Sequence, residues 1–412
     1  MLQKVSLGPK YIDKYRRIYS DGYIDELKAL ARDLKGLRLC HINSTPFGGG
    51  VAELLCSYIP LARDMGIKAD WQVITGDRRF FDITKSLHNA LQGAQYPLLE
   101  RTTEKIYLSN NLANAHELST DYDVFIVNDP QPAALRHFCE ESRAKWIWRC
   151  HIDSSEPDRY AWQFLRPYVE EYDAAIFTMK KFIPSDLRVS PVATIAPAID
   201  AFSPKNLPLP KELCRDILDN QGIDKDRPLV VQVSRFDPWK DPFGVIRAYQ
   251  IAKKKVPELQ LALVGSLAGD DPEGWQIYAA IHEEANKDPD IYVFSNLTGV
   301  GNMEVNAFQT AADIAIQKSI REGFGLVVAE ALWKETPMIA GNAGGIPMQM
   351  SGALTDYLVN NIEECAEKIV YLLKNAKAAR ELGAVGKENI RKNFLTPRLI
   401  MDELTLIKKL VG

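Results

Sequence analysis

Residues 37–66 read LRLCHINSTPFGGGVAELLCSYIPLARDMG, a pattern of apolar run, glycine loop and amphipathic segment. The run LRLCHIN is nearly continuous in hydrophobicity, as expected for a strand covered on both faces of a parallel sheet. After the glycines, apolar residues recur at the spacing of one helix face: Leu54, Leu55, Tyr58, Ile59 and Ala62. The segment therefore predicts the first strand and helix of an α/β fold.

The same alternation of short apolar runs and amphipathic stretches continues through the first half of the chain. Further strands are predicted at 69–75, 123–128, 145–150, 172–178 and 193–197. The polar, proline-rich segment DAFSPKNLPLPK at 200–211 then indicates a linker. Beyond it the alternation restarts, with strands predicted at 229–234, 259–265, 290–295, 313–317, 337–341 and 353–359. The last 35 residues or so have only helical patterns.

Two successive series of this kind predict two doubly wound, Rossmann-like domains. Ligands of such sheets bind at the carboxyl ends of the strands, so we expect the site in a cleft where the two carboxyl edges meet.

Composition narrows the class of protein. The 412 residues are 46% hydrophobic and 25% charged, which is typical of a globular protein. The net charge of −4 gives no electrostatic reason to expect a nucleic acid or a membrane as a partner. The six cysteines are irregularly spaced without a C-x-x-C pair, which favours reduced thiols. No apolar run approaches the roughly 20 residues of a membrane span, and we expect a cytoplasmic protein.

The loop STPFGGG at 44–50 connects the first strand to its helix. Its glycines allow a ligand to approach the main chain, and the following helix dipole favours an anion. The loop has neither a Gly-Lys-Ser/Thr ending nor a G-x-G-x-x-G pattern, which disfavours a P-loop and a nicotinamide dehydrogenase. The alternative is that the glycines only form a tight turn.

Two cations, Arg235 and Lys240, follow the first strand of the second half. They can clamp a diphosphate, the arginine through forked hydrogen bonds and the lysine as a point charge. The alternative is a pair of surface charges, one of them matched with Asp237 or Asp241.

The stretch REGFGLVVAE at 321–330 places Glu322 at a strand end and Glu330 on the helix that follows. Carboxylates accept hydrogen bonds from sugar hydroxyls, and the amides after Gly323 lie near a helix N-terminus. The alternative is that Glu322 only complements the helix dipole and Glu330 is a solvated helix residue.

In the first half, polar residues follow two strands: Asp129 after one, and His151 and Asp153 after another that ends in Arg149 and Cys150. These side chains are candidates for the same site. Asp121 and Asp123 have the Asp-x-Asp form of some metal-dependent transferases, but they precede a strand, so we expect no metal there.

Taken together, these motifs resemble the family 4 retaining glycosyltransferases of the GT-B fold. The resemblance rests on GGG at 48–50, His151, Arg235 with Lys240, and the E-x7-E pattern from Glu322 to Glu330. The segments NDPQP at 128–132 and RCHIDSS at 149–155 resemble the trehalose-forming branch, and most closely its glycosyltransferring trehalose synthases.

The resemblance implies an acceptor-binding domain at residues 1–203, joined by a C-terminal helix at 393–412, and a nucleotide-sugar-binding domain at 204–392. It implies four catalytic residues: His151, Arg235, Lys240 and Glu322. Donor-binding residues would be Gly49, Gly50, Asn296, Gly323, Phe324, Gly325, Leu326, Val327 and Glu330. Acceptor-binding residues would be Asp129, Arg149 and Asp153.

The implied reaction joins glucose from a nucleoside diphosphate glucose (ADP-, UDP- or GDP-glucose) to free glucose, reversibly, giving α,α-trehalose. The resemblance implies no tightly bound cofactor and no protein-bound metal, with Mg²⁺ stimulating through the nucleotide phosphates. The partners are small sugars and the sugar nucleotide, and the chain is a possible homodimer. The alternatives are a trehalose phosphorylase, a family 4 transferase with another acceptor such as fructose or a sugar phosphate, and a non-catalytic sugar-nucleotide sensor.

Overall fold

The chain forms two compact units in the computed structural model, which describes residues 2–95, 101–267 and 272–412. Unit 1 comprises Met1–Ala198 and Thr396–Gly412, and unit 2 comprises Ile199–Leu395.

Unit 1 is built on a sheet whose strands run parallel except for a short antiparallel edge strand. Its strands are β1 (Gln3–Lys4), β2 (Arg38–Asn43), β3 (Lys68–Val73), β4 (Val124–Asn128), β5 (Lys145–Cys150), β6 (Ala174–Phe177) and β7 (Val192–Thr194). They lie in the order β1-β3-β2-β4-β5-β6-β7. The chain order reverses between β2 and β4, and the crevice outside the carboxyl ends at such a point is where open α/β sheets bind ligands.

Helices flank this sheet and bury strands β2 to β6 along most of their length. They are α1 (Asp21–Asp33), α2 (Gly50–Asp64), α3 (Arg78–Leu91), α4 (Arg101–Glu117) and α5 (Arg159–Val169), with 3₁₀ turns at Ile12–Arg17, Ala133–Phe138 and Lys180–Phe182.

Unit 2 contains a fully parallel sheet within its described residues. Its strands are β8 (Leu229–Val233), β9 (Gln260–Gly265), β10 (Ile291–Ser295), β11 (Ile314–Gln317), β12 (Met338–Gly341) and β13 (Leu358–Val359). The order is β10-β9-β8-β11-β12-β13, so the reversal falls between β8 and β11. The loops that leave these two strands carry the predicted cations and Glu322.

The helices of unit 2 follow the strands in the usual alternation. They are α6 (Lys211–Asp219), α7 (Pro242–Lys253), α8 (Pro272–Ala285), α9 (Asn302–Ala311), α10 (Leu326–Trp333), α11 (Ile346–Gln349), α12 (Ile362–Lys374) and α13 (Ala376–Asn393), with 3₁₀ turns at Pro238–Lys240, Asn296–Thr298 and Gly352–Tyr357.

The last helix, α14 (Thr396–Val411), belongs to unit 1 although it follows unit 2 in the sequence. It packs on α1 and α2. Arg398 near its start donates to the carbonyls of Ala196 and Pro197 at 2.8 and 2.9 Å. The carboxylate of Glu403, in the middle of α14, is fully buried and pairs with Arg149 of β5.

The sheets confirm the predicted α/β fold, with one strand prediction largely wrong. Each strand predicted up to residue 341 overlaps an observed one, and the helix predicted after the glycine loop is α2, with its five apolar residues buried. The segment predicted as a strand at 353–359 is mainly a 3₁₀ turn, because only Leu354 of Gly352–Tyr357 is buried. The edge strand β1 was not predicted, since its two residues are exposed and polar.

The proline-rich segment at 200–211 belongs to unit 2 and packs against its helices. Asn206 is buried in it and accepts from the Lys334 ammonium at 2.9 Å. Asn306 donates to the carbonyls of Pro204 and Leu207, both at 2.9 Å. These contacts make it an ordered connection.

Candidate active site

An ion pair occupies the switch point of the unit 2 sheet. Lys240 ends the 3₁₀ turn after β8, and Glu322 lies in the loop after β11; the ammonium Nζ is 2.6 Å from carboxylate Oε2. The two side chains are only 15% and 10% exposed. The Ser319 hydroxyl also donates to this Oε2 at 3.1 Å, so the carboxylate is held from two sides. A cation and an anion are thus presented together at the edge where ligands of this fold bind.

A second ion pair ties the same two loops together. Lys318 directly follows β11 and its ammonium contacts the carboxylate of Asp241, which caps α7 by accepting from the Gly244 amide at 3.0 Å. Asp241 has a left-handed backbone with φ of 48°. The Ile320 amide adds a main-chain bond to the Trp239 carbonyl at 2.8 Å. Lys240 and Glu322 are therefore positioned by neighbouring residues on both loops.

Arg235 lies at the same edge in a different environment. It is 54% exposed, and its guanidinium is 2.9 Å from the Asp237 carboxylate. This is the surface pairing that the sequence left as an alternative. An exposed ion pair of this kind contributes only about 0–1 kcal/mol to the free energy of unfolding. The guanidinium can therefore readily exchange Asp237 for another anion.

The segment 323–327 forms the entry to α10. Gly325 precedes the helix, and Leu326 and Val327 lie in its first turn, where N–H groups lack acceptors within the helix. The Phe324 side chain is buried, and its carbonyl accepts from the Gln349 amide at 2.5 Å. The N–H groups at the start of α10 lie beside Glu322, as the sequence predicts.

A second loop packs tightly beneath Glu322. A Cβ on Gly344 would lie 1.6 Å from the Glu322 carbonyl oxygen, and one on Gly345 would lie 2.5 Å from that of Gly323. The Gly345 amide donates to the Glu322 carbonyl at 3.2 Å. Only glycine fits at Gly344, which also has a positive φ of 54°.

Glu330 is fully buried on α10. Its carboxylate lies 3.6 Å from the Lys205 ammonium and 3.5 Å from the Gln309 amide nitrogen. The reading of Glu330 as a solvated helix residue is therefore wrong. Its binding of the donor stays a prediction, and it requires the carboxylate to become accessible to the ligand.

Asn296, predicted to bind the donor, uses both ends of its amide to brace another loop. Its Oδ1 accepts from the Leu267 amide at 2.8 Å, and its Nδ2 donates to the Leu267 carbonyl at 3.1 Å. This geometry favours a structural role for the side chain and leaves the main chain of the loop after β10 as the part to contact a ligand.

In unit 1 the glycine loop leaves β2 at the switch point of the sheet. Gly48 has a φ of 79°, Gly49 is the residue before α2, and Gly50 is its first residue. The preceding turn is braced by Asn43, whose Nδ2 donates to the Thr45 carbonyl at 2.7 Å. The predicted arrangement of exposed main chain in front of a helix is therefore present.

His151 and Asp129 are brought together at the neighbouring strand ends. The His151 amide donates to the Asp129 carboxylate at 2.8 Å, and its imidazole Nε2 is 2.9 Å from Oδ1 of Asn128. Asp129 has φ of 66°, an unfavourable backbone for a residue other than glycine and one that often marks a functional site. Burial raises the pKa of Asp129 to about 7. Asp153 lies in the loop after β5, where its Oδ1 accepts from the Ser155 amide and hydroxyl at 3.1 and 2.6 Å.

The Arg149 side chain lies in the interior of unit 1, close enough to His151 to lower its pKa. It is 1% exposed and pairs with Glu403 of α14, while His41 lies 3.9 Å from the other carboxylate oxygen. This burial argues against direct acceptor binding by the Arg149 side chain. Its main chain supports the site instead, because the Asp129 amide donates to the Arg149 carbonyl at 2.8 Å.

Burial sets the protonation of this interior cluster. It lowers the pKa of Arg149 to about 9, so the guanidinium keeps its charge at neutral pH. Burial and the nearby guanidinium lower the pKa of His41 to about 3, and the same two causes hold the pKa of His151 well below its usual value. Both imidazoles are neutral at physiological pH.

Asp241, predicted as a partner of Arg235 or Lys240, pairs with Lys318 instead. The sequence assigned no individual role to four residues that shape these sites: Asn128, Lys318, Ser319 and Glu403. Lys318 and Ser319 have the same signal as Glu322, a polar residue directly after a buried strand. Glu403 gave no signal, because its partner Arg149 is distant in the sequence.

Asp121 and Asp123 lie at the start of β4 and both pair with Arg38. Within residues 2–95, 101–267 and 272–412, no group of three or more His, Cys, Asp or Glu side chains is arranged to hold a metal ion. Over the same ranges, no helix has the length and apolarity needed to cross a membrane.

Two family models match the chain, one for each unit. Residues 41–184 match the trehalose synthase N-terminal domain, and residues 215–389 match the glycosyl transferases group 1. A trehalose synthase from Rubrobacter xylanophilus is 48% identical over 416 residues, covering 100% of both chains. The chain belongs to the trehalose synthase family of glycosyltransferases. It is therefore an enzyme, a glycosyltransferase of trehalose metabolism.

Two further relatives show how far the likeness extends. A trehalose synthase from Thermococcus litoralis is 45% identical, covering 97% of each chain. A trehalose phosphorylase from Grifola frondosa is 30% identical, covering 84% of this chain but 53% of its own.

The fold recurs in solved glycosyltransferases. Sucrose-phosphate synthase from Thermosynechococcus elongatus matches with a TM-score of 0.71 at 17% identity, covering 91% of this chain and 99% of its own. A UDP-forming trehalose-phosphate synthase from Burkholderia xenovorans matches with a TM-score of 0.71 at 15% identity, covering 91% and 100%. At these identities the likeness shows the fold alone, which is GT-B.

Proposed function

We propose that this enzyme transfers glucose from a nucleoside diphosphate glucose to free glucose, forming α,α-trehalose with retention of configuration and in a reversible reaction. The observation that carries the proposal is the 2.6 Å contact between Lys240 and Glu322 at the switch point of the unit 2 sheet. It provides a cation for a diphosphate and a carboxylate for sugar hydroxyls on two neighbouring loops at one edge of the sheet.

The chemistry follows from these charges. The anomeric C–O bond of the donor breaks and its electron pair leaves with the diphosphate, whose growing charge Lys240 and Arg235 stabilise. The acceptor hydroxyl oxygen forms the new bond on the same face, and its proton passes to the departing diphosphate. Preorganised cations are most effective where water is scarce, and Lys240 is largely buried.

Glu322 is suited to holding donor hydroxyls, because Lys240 and Ser319 already hold one of its oxygens. A carboxylate so engaged is a poor nucleophile, which favours a mechanism without a covalent glycosyl-enzyme intermediate. In unit 1, we assign the donor sugar to His151 and the acceptor glucose to Asp129 and Asp153.

The direct test is product analysis. The protein is incubated with glucose and each of ADP-, UDP- and GDP-glucose, and the sugar and nucleotide products are identified by chromatography. We expect α,α-trehalose and the matching nucleoside diphosphate in equal amounts from at least one donor. Release of diphosphate without any disaccharide, or a disaccharide only with fructose or a sugar phosphate, would refute the assignment of glucose as acceptor.

Trehalose phosphorolysis is the second candidate, because the relative from Grifola frondosa carries that name and a cationic strand end also suits free phosphate. Incubation of trehalose with phosphate or with ADP separates the two. Glucose 1-phosphate formed without nucleotide supports the phosphorylase, whereas ADP-glucose formed without phosphate supports the synthase.

Variants of the ion pair test the site itself. Lys240→Ala and Glu322→Ala each remove one group that contacts the reacting substrate, and loss of one such interaction costs about 2.7–4 kcal/mol, or about 10²–10³-fold in kcat. Lys254→Ala, at an exposed position after α7, is the matched control and keeps full activity. Near-normal rates in both site variants, with unchanged circular dichroism, contradict the assignment.

We also propose that the enzyme needs no tightly bound cofactor and that Mg²⁺ acts only through the nucleotide phosphates. Dialysis against EDTA should then leave turnover within a few-fold of its initial rate, and added Mg²⁺ should restore the difference at once. A homodimer remains a hypothesis that light scattering on the purified protein decides.

A further inference from the structure

Asn128 is the last residue of β4 and is almost completely buried, at 1% exposed. Its Nδ2 donates to two main-chain carbonyls, that of Ile42 on β2 at 3.0 Å and that of Ile126 on β4 at 3.3 Å. With both carbonyls on one side, the amide has a single orientation that satisfies its hydrogen bonds, with Oδ1 directed at His151.

This orientation determines which imidazole nitrogen carries the proton. Oδ1 of an amide can only accept, and it lies 2.9 Å from Nε2 of His151, so Nε2 must be the donor. A neutral imidazole has one N–H, which leaves Nδ1 with a bare lone pair.

We propose that Asn128 is a positioning residue that fixes His151 as the Nε2–H tautomer, so that Nδ1 is presented as a hydrogen-bond acceptor for a sugar hydroxyl. The tautomer stands on the contacts of the free protein, and the identity of its ligand as a sugar rests on the function proposed above. The Nδ1 atom in this state accepts a hydrogen bond from a hydroxyl and cannot donate one to a phosphate oxygen.

The charges around His151 favour the same state. Arg149 on β5 disfavours an imidazolium, His41 on β2 is itself neutral at pH 7, and the Asp129 carboxylate accepts from the His151 amide. Burial holds the pKa of His151 well below its usual value. A neutral imidazole also suits the reaction, because a cation here would oppose the positive charge that develops on the transferred sugar.

The first measurement needs no change to the site. The protein contains six histidines, so selective ¹⁵N-histidine labelling gives few resonances, and that of His151 is identified by its absence in His151→Gln. Long-range ¹H–¹⁵N spectra of the full-length wild-type protein at pH 7 then report the tautomer. We expect Nε2–H; an Nδ1–H tautomer or an imidazolium overturns the proposal.

The second measurement is the pH profile of Asn128→Asp. A carboxylate beside Nε2 stabilises the imidazolium, in which Nδ1 carries a proton and the acceptor is lost. We expect turnover with saturating donor to fall by about tenfold per pH unit below the raised His151 pKa and to recover at higher pH, while the wild type shows no such acid limb. A folded Asn128→Asp protein with the wild-type profile overturns the proposal.

Asn114→Asp is the matched control. Asn114 is also buried and bridges main-chain groups, with Oδ1 accepting from the Thr75 amide at 2.7 Å and Nδ2 donating to the Thr75 carbonyl at 2.8 Å. An acid limb in both variants would mean that any buried charge in unit 1 has this effect, which contradicts a specific role for Asn128. If Asn128→Asp does not fold, the wild-type spectrum still decides. If the protein fails to transfer glucose, the tautomer result stands and only its assignment to a sugar is lost.

Discussion

The pair formed by Arg149 and Glu403 makes unit 1 depend on its C-terminal helix. Arg149 is 1% exposed and Glu403 is fully buried, so each is the counter-ion for a charge that has left water. Removing one partner of such a pair leaves the other uncompensated, at a cost of about 3–5 kcal/mol in the free energy of unfolding. We therefore expect Glu403→Leu to lower the Tm of unit 1 by about 6–20 °C, given the size of the unit.

The assay is calorimetry, together with hydrogen exchange of a peptide spanning β5. The double variant Arg149→Met/Glu403→Leu should recover most of the loss, because well-packed apolar residues replace buried ion pairs at little cost. Asp402→Asn is the matched control on the same helix, because it removes the partly exposed ion pair between Asp402 and Arg398. It should lower the free energy of unfolding by at most about 1 kcal/mol.

A loss of stability in Glu403→Leu no larger than that in Asp402→Asn would contradict the dependence on a buried counter-ion. A double variant as unstable as the sum of the two single variants would show that the two charges are not coupled.

Three further outcomes are expected. Because burial raises the pKa of Asp129 from 3.8 to about 7, the folded chain keeps a proton that the unfolded chain loses, so stability should fall as the pH rises between these values and level off above them. Asp129→Asn removes this dependence, and parallel Tm–pH curves for the two proteins would contradict it. Gly344→Ala places a Cβ on the Glu322 carbonyl and should reduce turnover at least tenfold. In the control Gly352→Ala, the residue has φ of 64° but an added Cβ has no other atom within 4 Å, so only stability should fall. Equal kinetic effects in the two variants would contradict a positioning role for Gly344. Lys318→Met releases Asp241 and should lower kcat with little change in KM for glucose, measured by diphosphate release; an unchanged kcat would show that Lys240 needs no such bracing.

The fold was predictable because most of the parallel strands are buried on both faces and therefore appear in the sequence as short apolar runs. The two failures share the opposite property. β1 has two exposed polar residues, and in the segment at 353–359 only Leu354 and Val359 are buried.

The positions of Lys240, Glu322 and His151 were predictable for a related reason, since polar residues in the loops after buried strands lie at the carboxyl edge of their own sheet. The partners of these residues were not. Glu403 contacts Arg149 across most of the length of the chain, and Asn128 reveals its role only through the 2.9 Å contact with His151. Pairings of this kind depend on packing geometry, which has no periodic signature in a sequence.

The return of α14 to unit 1 has a consequence for synthesis on the ribosome. Domains usually fold as they emerge, the N-terminal one first. Here the nascent N-terminal half leaves the exit tunnel without the helix that neutralises Arg149, whereas unit 2 is complete before that helix is translated. The order of maturation is therefore reversed, and the half that is made first waits longest for its final packing.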